Sequence, residues 1–167
     1  MLLRVTGKLG KKISERSLEK LPPAENPLLD WSCNVFRIDR KQHIIAINTR
    51  SLLPVFMYGR GVTDAASLLE RVTDNICRRM AAMGLADECE EYVRPAADTL
   101  RLSKSLNRSV TGSMNDFVHQ VEAQAQIGNF NCEEWEARAG VVPMGALDMD
   151  SSGKAFREMV REVGEKR

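Results

Sequence analysis

The chain has 167 residues, of which 43% are hydrophobic and 28% charged. That balance excludes an intrinsically disordered chain and suffices for a core that needs no covalent staples. Lys and Arg number 24 against 23 Asp and Glu, a formal net charge of +1, which excludes a strongly basic nucleic-acid coat and an acidic mimic of DNA.

Leu2–Thr6 alternates weakly, with Leu3 and Val5 on one face, and predicts a first strand. Residues 7–20 are basic and polar, with Lys8, Lys11, Lys12, Arg16 and Lys20 set against Glu15 and Glu19. A short helix fits there. Leu21-Pro22-Pro23 and Asn26-Pro27 then break it, so residues 7–30 read as a surface segment. Asn34–Ile38 and His43–Ile47 flank the turn residues Asp39-Arg40-Lys41-Gln42 and predict an antiparallel hairpin. Leu52–Tyr58 predicts a third strand, with Pro54 at its start or on an edge.

A helix is expected from Asp64 to Met83, because Ala65, Leu68, Leu69, Val72, Ile76, Met80 and Met83 recur at spacings of three and four. Thr63 or Asp64 caps its start and Gly84 ends it. An acidic patch follows at Asp87, Glu88, Glu90 and Glu91. Thr99–Lys104 alternates as a strand, Met114–Ile127 as a helix ended by Gly128-Asn129, and Ser152–Val163 as a final helix. The order of elements predicts one α+β domain over residues 1–167. Its sheet is mostly antiparallel, of about four to five strands, with helices packed on one face.

The stretch from Asn107 to Phe117 carries the densest chemistry. It sets Arg108, Ser109, Gly112 and Ser113 before a helix whose free N–H groups attract anions. Arg108 adds a fork suited to phosphate or carboxylate. The competing reading is a capping box with Ser113 at the N-cap and Asp116 at N3. No Gly-Lys-Ser/Thr phosphate loop and no Gly-x-Ser-x-Gly elbow is present. His43 and His119 read as structural or surface residues rather than catalytic ones. Trp31 either anchors a core edge or lines a pocket. Asn48, Thr49 and Arg50 end a strand, where polar groups converge or simply turn the chain. The four cysteines, Cys33, Cys77, Cys89 and Cys132, form no Cys-x-x-Cys pair. Cys33 and Cys77 lie in apolar stretches and read as small buried hydrophobes, which suits a reducing cytoplasm. No apolar run reaches the roughly 18 residues that cross a bilayer, and the amino-terminal stretch lacks a signal-peptide core.

Leu3-Arg4-Val5-Thr6 with Lys8-Leu9, Asp30-Trp31, Phe36-Arg37-Ile38-Asp39-Arg40, Asn48, Pro143-Met144 and above all Arg108-Ser109-x-x-Gly112-Ser113-Met114-Asn115-Asp116 resemble a bacterial domain-of-unknown-function family, number 6933. Thr111 stands where that pattern has an aliphatic residue. The resemblance spans most of residues 1–160 and implies a shared fold and site, but no reaction.

The reading favoured on these grounds is a cytoplasmic binding or interaction module for an anionic ligand, nucleic acid or protein partner. Trp31, Asn48, Arg50, Arg108, Ser109, Asn115 and Asp116 form its ligand set, with no metal, cofactor or membrane involved. A second reading is an enzyme on a phosphorylated or nucleotide substrate, with Asp116 or His119 as base. A third is a structural or regulatory protein that pairs with itself, as a homodimer, or with another subunit, through the strand edge near Pro54 and the apolar tail.

Overall fold

The fold is seen in a computed structural model that describes residues 1–105, 108–128 and 130–165. The β-branched and aromatic runs form β1 (Leu2–Val5), β2 (Asp30–Ile38), β3 (Lys41–Asn48), β4 (Pro54–Tyr58) and β5 (Arg101–Lys104). They make one five-stranded sheet in the order β4-β3-β2-β1-β5. β2, β3 and β4 run as an antiparallel meander, while β1 lies parallel to both β2 and β5. The hairpin turn needs only Asp39 and Arg40, both at positive φ (47° and 64°), the two-residue geometry that matches strand twist.

Thr6 caps α1 (Gly7–Lys12) by accepting the Leu9 N–H. α2 (Ala65–Ala82) starts in a reciprocal capping box of Asp64 and Ser67. It ends in a Schellman turn: Leu85 N–H donates to Met80 O and Gly84 N–H to Ala81 O, with Gly84 at φ +74°. Short turns follow as α3 (Ala86–Glu88), a π-helical turn (Cys89–Val93) and α4 (Arg94–Ala96), which lead into β5. A Cys77–Cys89 disulfide, with Cα atoms 5.6 Å apart, ties these turns to α2. Cys77 is therefore not the free thiol expected from its apolar surroundings. Cys33 is free, and burial pushes its thiol up to about 12. α5 (Arg108–Ala125), α6 (Cys132–Ala139) and α7 (Ser152–Glu165) complete the described chain.

The α+β class and the mainly antiparallel sheet stand as the sequence predicts. The helices do not keep to one face. Leu3, Val5, Trp31, Cys33, Val35, Ile44, Ala46, Val55 and Met57 point to one side, where they pack with residues of α1, α2 and α7. Phe36, Ile38, Ile45, Ile47 and Phe56 point to the other and pack with Val110, Met114, Phe117, Val118 and Val121 of α5 and Ala139 of α6. Both parities of β3 are apolar, so a single helical layer would leave Ile45 and Ile47 in water.

The β1 end of this second face is polar, and one residue organises it. Arg4 is fully buried, and all five of its N–H donors are used. Nε and Nη2 grip the two Asp30 carboxylate oxygens at 2.7 and 2.8 Å. Nη1 donates to Leu21 O and Ser103 Oγ, and Nη2 also donates to Pro22 O. Asp30 in turn accepts the Ala24 N–H. The irregular stretch at 21–24 is thereby fastened over β1, β2 and β5.

The outer edge of β4 is closed rather than open. Pro54 has no N–H to offer, and the Phe56 N–H donates to the buried Glu136 carboxylate of α6 at 2.7 Å. The Tyr58 carbonyl accepts from Arg71. Glu136 also pairs with Arg78 at 2.7 Å, yet burial raises its pKa. The strand edge expected to mediate self-association is thus occupied from within the chain.

Three outcomes follow from this architecture. Arg4→Met strands a buried carboxylate, and urea unfolding should lose about 3–5 kcal/mol, whereas the double variant Arg4→Met/Asp30→Asn should recover part of it. Glu136→Ala should lower stability by about 3 kcal/mol, and Glu136→Gln, which keeps an acceptor oxygen for Phe56, by less. His43 is buried among Phe36, Tyr58 and Phe130, and burial lowers its pKa. Between the lowered folded pKa and the unfolded value of about 6.5, the unfolded chain binds more protons. Stability should therefore fall as pH drops below about 6.5, and His43→Phe should flatten that part of the pH profile of the thermal midpoint.

Candidate functional site

The sheet separates the residues expected to share a site. Trp31 is fully buried on the α7 side, 6.0 Å from Phe156, and spends its indole N–H on Leu28 O at 2.8 Å. It is part of the core. Asn48 is also fully buried. Its amide donates to Pro27 O and Asp30 O, and its carbonyl accepts from Arg50 N, Ser51 N and Ser51 Oγ. That set fastens the turn after β3 and leaves no capacity for a ligand. Arg50 is exposed and pairs with Glu162 at 3.0 Å.

Arg108, Ser109, Asn115 and Asp116 lie on α5, over the opposite face, and are exposed. They share no cavity with Trp31. α5 begins at Arg108 rather than at Met114, so Ser113 and Asp116 form no capping box. The physical reason is that Val110 extends the Met114, Phe117, Val118 and Val121 stripe by one turn, and burying it outweighs the roughly 1 kcal/mol cost of Gly112 inside a helix. Asn107 and Asn129 lie outside the described residues. His119 is exposed and meets Glu122 at 3.6 Å.

Several clefts mark the surface. One, about 690 Å³, lies at the amino ends of β1 and β5 and is lined by Leu2, Pro22, Pro23, Leu29, Leu100 and Arg101 among others. Another, about 380 Å³, gathers Thr49 and Arg50 against Asp30, but Asp30 is held by Arg4 and Arg50 by Glu162. A third, about 370 Å³, sits at the carboxyl ends of β1 and β5. Its lining comprises Val5, Thr6, Gly7, Gly10, Lys11, Glu15, Arg16, Leu18, Lys104 and Ser105.

This third cleft has the topology that opens a crevice in a parallel sheet. The connection after β1 goes to one face, where Leu9 and Ile13 pack beneath Leu3 and Val5. The chain after β5 goes to the other face as α5. Adjacent parallel strands whose connections depart to opposite faces leave a gap beyond their carboxyl ends, the usual ligand position in such sheets.

The walls are fixed by backbone bonds. Thr6 Oγ1 donates to Asn34 Oδ1 at 2.7 Å while capping α1. Glu15 N–H donates to Gly10 O, and Lys104 N–H donates to Glu19 O, so residues 15–19 form the outer wall. A Cβ at Gly10 would meet Glu15 O at 2.7 Å, so only glycine permits this close approach.

Lys11, Glu15, Arg16 and Lys104 are the charged residues among those that line the cleft. None of the three cations enters an ion pair among the described residues. The Ser105 hydroxyl is buried there and has no hydrogen-bond partner among the described residues. Ser105 also lies three positions before Arg108, a separation of at most about 11 Å along the chain. Of the expected set, Arg108 and Ser109 are therefore near this cleft in sequence. The cleft residues of the 7–18 stretch are ones that sequence reasoning assigned to a surface loop. The signal for them is a pair of glycines with following lysines, placed directly after a strand.

No helix among the described residues is long and apolar enough to cross a membrane, and no His, Cys, Asp and Glu group there has the makings of a metal site. Among curated proteins none matches the sequence. The family model described as "Domain of unknown function (DUF6933)" matches residues 2–155. That match takes in all five strands, the cleft and α5, and the chain belongs to the DUF6933 family.

Proposed function

We propose that the chain is a binding module for a small anionic ligand, held in the cleft at the carboxyl ends of β1 and β5. The observation that carries this reading is the set of lining residues, three basic to one acidic, with a buried hydroxyl that has no partner among the described residues, in a crevice of about 370 Å³. That volume falls within the roughly 300–1,000 Å³ of small-molecule sites. An anion there would answer the excess positive charge and give the Ser105 hydroxyl an acceptor. The cleft lining has no aromatic side chain on which a base would stack, which favours a small anion over a nucleic-acid strand. Trp31 and Asn48 serve the fold in this reading. The Cys77–Cys89 pairing weighs against the reducing compartment that cysteine spacing suggests, since such bonds persist mainly in oxidising surroundings.

Calorimetric titration with inorganic phosphate tests the proposal. Affinity should fall as salt rises, and Arg16→Ala/Lys104→Ala should lose about tenfold or more while circular dichroism stays unchanged, since each lost charge-assisted bond costs about 1.5–3 kcal/mol. Unchanged affinity in the double variant would overturn it.

A further inference from the structure

We infer that the hairpin end of the sheet is a second binding surface, which takes a short segment of single-stranded nucleic acid: Tyr58 stacks on an unpaired base while Arg40, Lys41 and Arg60 hold the neighbouring phosphates. The inference does not rest on the anion-cleft reading, and none of these four residues lines the cleft.

The ring is the first argument. Tyr58 is 54% exposed, and no other Phe, Tyr or Trp is exposed among the described residues. Its place is fixed from behind. It pairs across the strands with His43, the two ring centroids lie 5.0 Å apart, and Phe130 meets the imidazole edge-on at 5.2 Å. Its backbone is held as well. Arg71 donates to the Tyr58 carbonyl at 2.7 Å, and the Gly59 N–H donates to Gln42 O at 2.9 Å. A ring already anchored in this way pays little ordering cost when a base stacks on it.

Charge is the second argument. Arg40 forms half of the hairpin turn, Lys41 opens β3, and Arg60 follows Tyr58 by two residues. All three are exposed. None enters an ion pair among the described residues. Lys41 precedes His43 by two positions and therefore projects to the same side of the sheet as His43 and Tyr58. It is the diagonal cross-strand neighbour of Tyr58, a separation of about 7–8 Å. Two acidic residues, Asp39 and Glu122, line a small pocket beside the turn together with Arg37. With all of them counted, Arg37, Arg40, Lys41 and Arg60 outnumber the acidic residues four to two.

The combination selects among polyanions. A duplex keeps its base faces stacked inside and shows only their edges, so the ring gains nothing from it. An acidic peptide answers the charge but brings no base to stack. An unpaired strand supplies both a π face and phosphates in alternation along one chain.

Fluorescence anisotropy at about 50 mM salt tests the inference with labelled strands of about ten nucleotides. The probes are oligothymidine DNA, oligouridine RNA, an abasic DNA strand and a DNA duplex, with polyglutamate as competitor. The thymidine and uridine strands separate DNA from RNA. The better bound of the two should exceed the abasic strand and the duplex by about tenfold, and polyglutamate should compete poorly. Tyr58→Ala should lose about tenfold on that strand and nothing on the abasic one, while Tyr58→Phe keeps the affinity. The slope of log affinity against log salt should be about −2 for three phosphate contacts, and should approach zero in Arg40→Ala/Lys41→Ala/Arg60→Ala. All four positions are exposed, so circular dichroism and the thermal midpoint should stay near wild type. The cleft variant Arg16→Ala/Lys104→Ala should bind the strand unchanged. No binding, equal binding of the abasic strand, the duplex or polyglutamate, or full affinity in Tyr58→Ala would overturn the inference. Affinity lost in the cleft variant but kept in the triple variant would place the strand in the cleft, and this inference alone would fall.

Discussion

The Arg4–Asp30 pair is the interaction on which the rest of the molecule hangs. Burying two charges costs several kcal/mol per ion, and the pair is tolerable only because every donor of Arg4 has an acceptor. Those acceptors belong to β2, β5 and the coil before β2. One guanidinium therefore specifies which strands flank β1 and where the coil crosses them. A well-packed apolar replacement would hold the same volume without choosing among coil paths. The arrangement favours specificity of placement over stability.

That placement positions the cleft. The coil that Arg4 holds at Leu21 and Pro22 comes directly from the cleft wall at residues 15–19, which Lys104 also fastens. With both ends of the coil tied, the cationic wall stands against the carboxyl ends of β1 and β5. The cleft cations enter no ion pair among the described residues, whereas acidic side chains elsewhere pair on the surface, as Glu90 and Asp74 do with Arg94.

Local pattern made the hairpin, α2 and α7 legible in the sequence, because each buries one face at a regular period. β2 starts four residues earlier than the hairpin pattern predicts, since Asp30-Trp31-Ser32-Cys33 is drawn into the sheet by β1, a partner remote in sequence. The two-sided burial was written in the His43–Ile47 run, whose unbroken apolarity fits a strand covered on both faces. α6 escaped notice because it is short and its inward stripe of Cys132, Trp135 and Ala139 is interrupted by the charged Glu136. The Cys77–Cys89 bond has no spacing rule to announce it. Arg108 and Ser109, expected to precede a helix beginning at Met114, lie within α5 and are not among the residues that line the cleft. Lys11, Arg16 and Lys104 were not legible as site residues, because only the parallel pairing of β1 with β5 brings them to one crevice. Trp31 and Asn48 misled because rare aromatic and amide residues look the same in sequence whether they hold a ligand or a turn.

The pairing of β1 with β5 has a kinetic corollary. Leu2 lies beside Arg101, roughly a hundred positions away, and closing so large a loop is slow compared with hairpin formation. The meander and α2 are able to form from their own neighbourhoods, whereas the crevice exists only after the last strand has docked. Occupancy of the crevice thus reports completion of the whole sheet, and a ligand that seats there would draw late intermediates towards the finished fold by mass action.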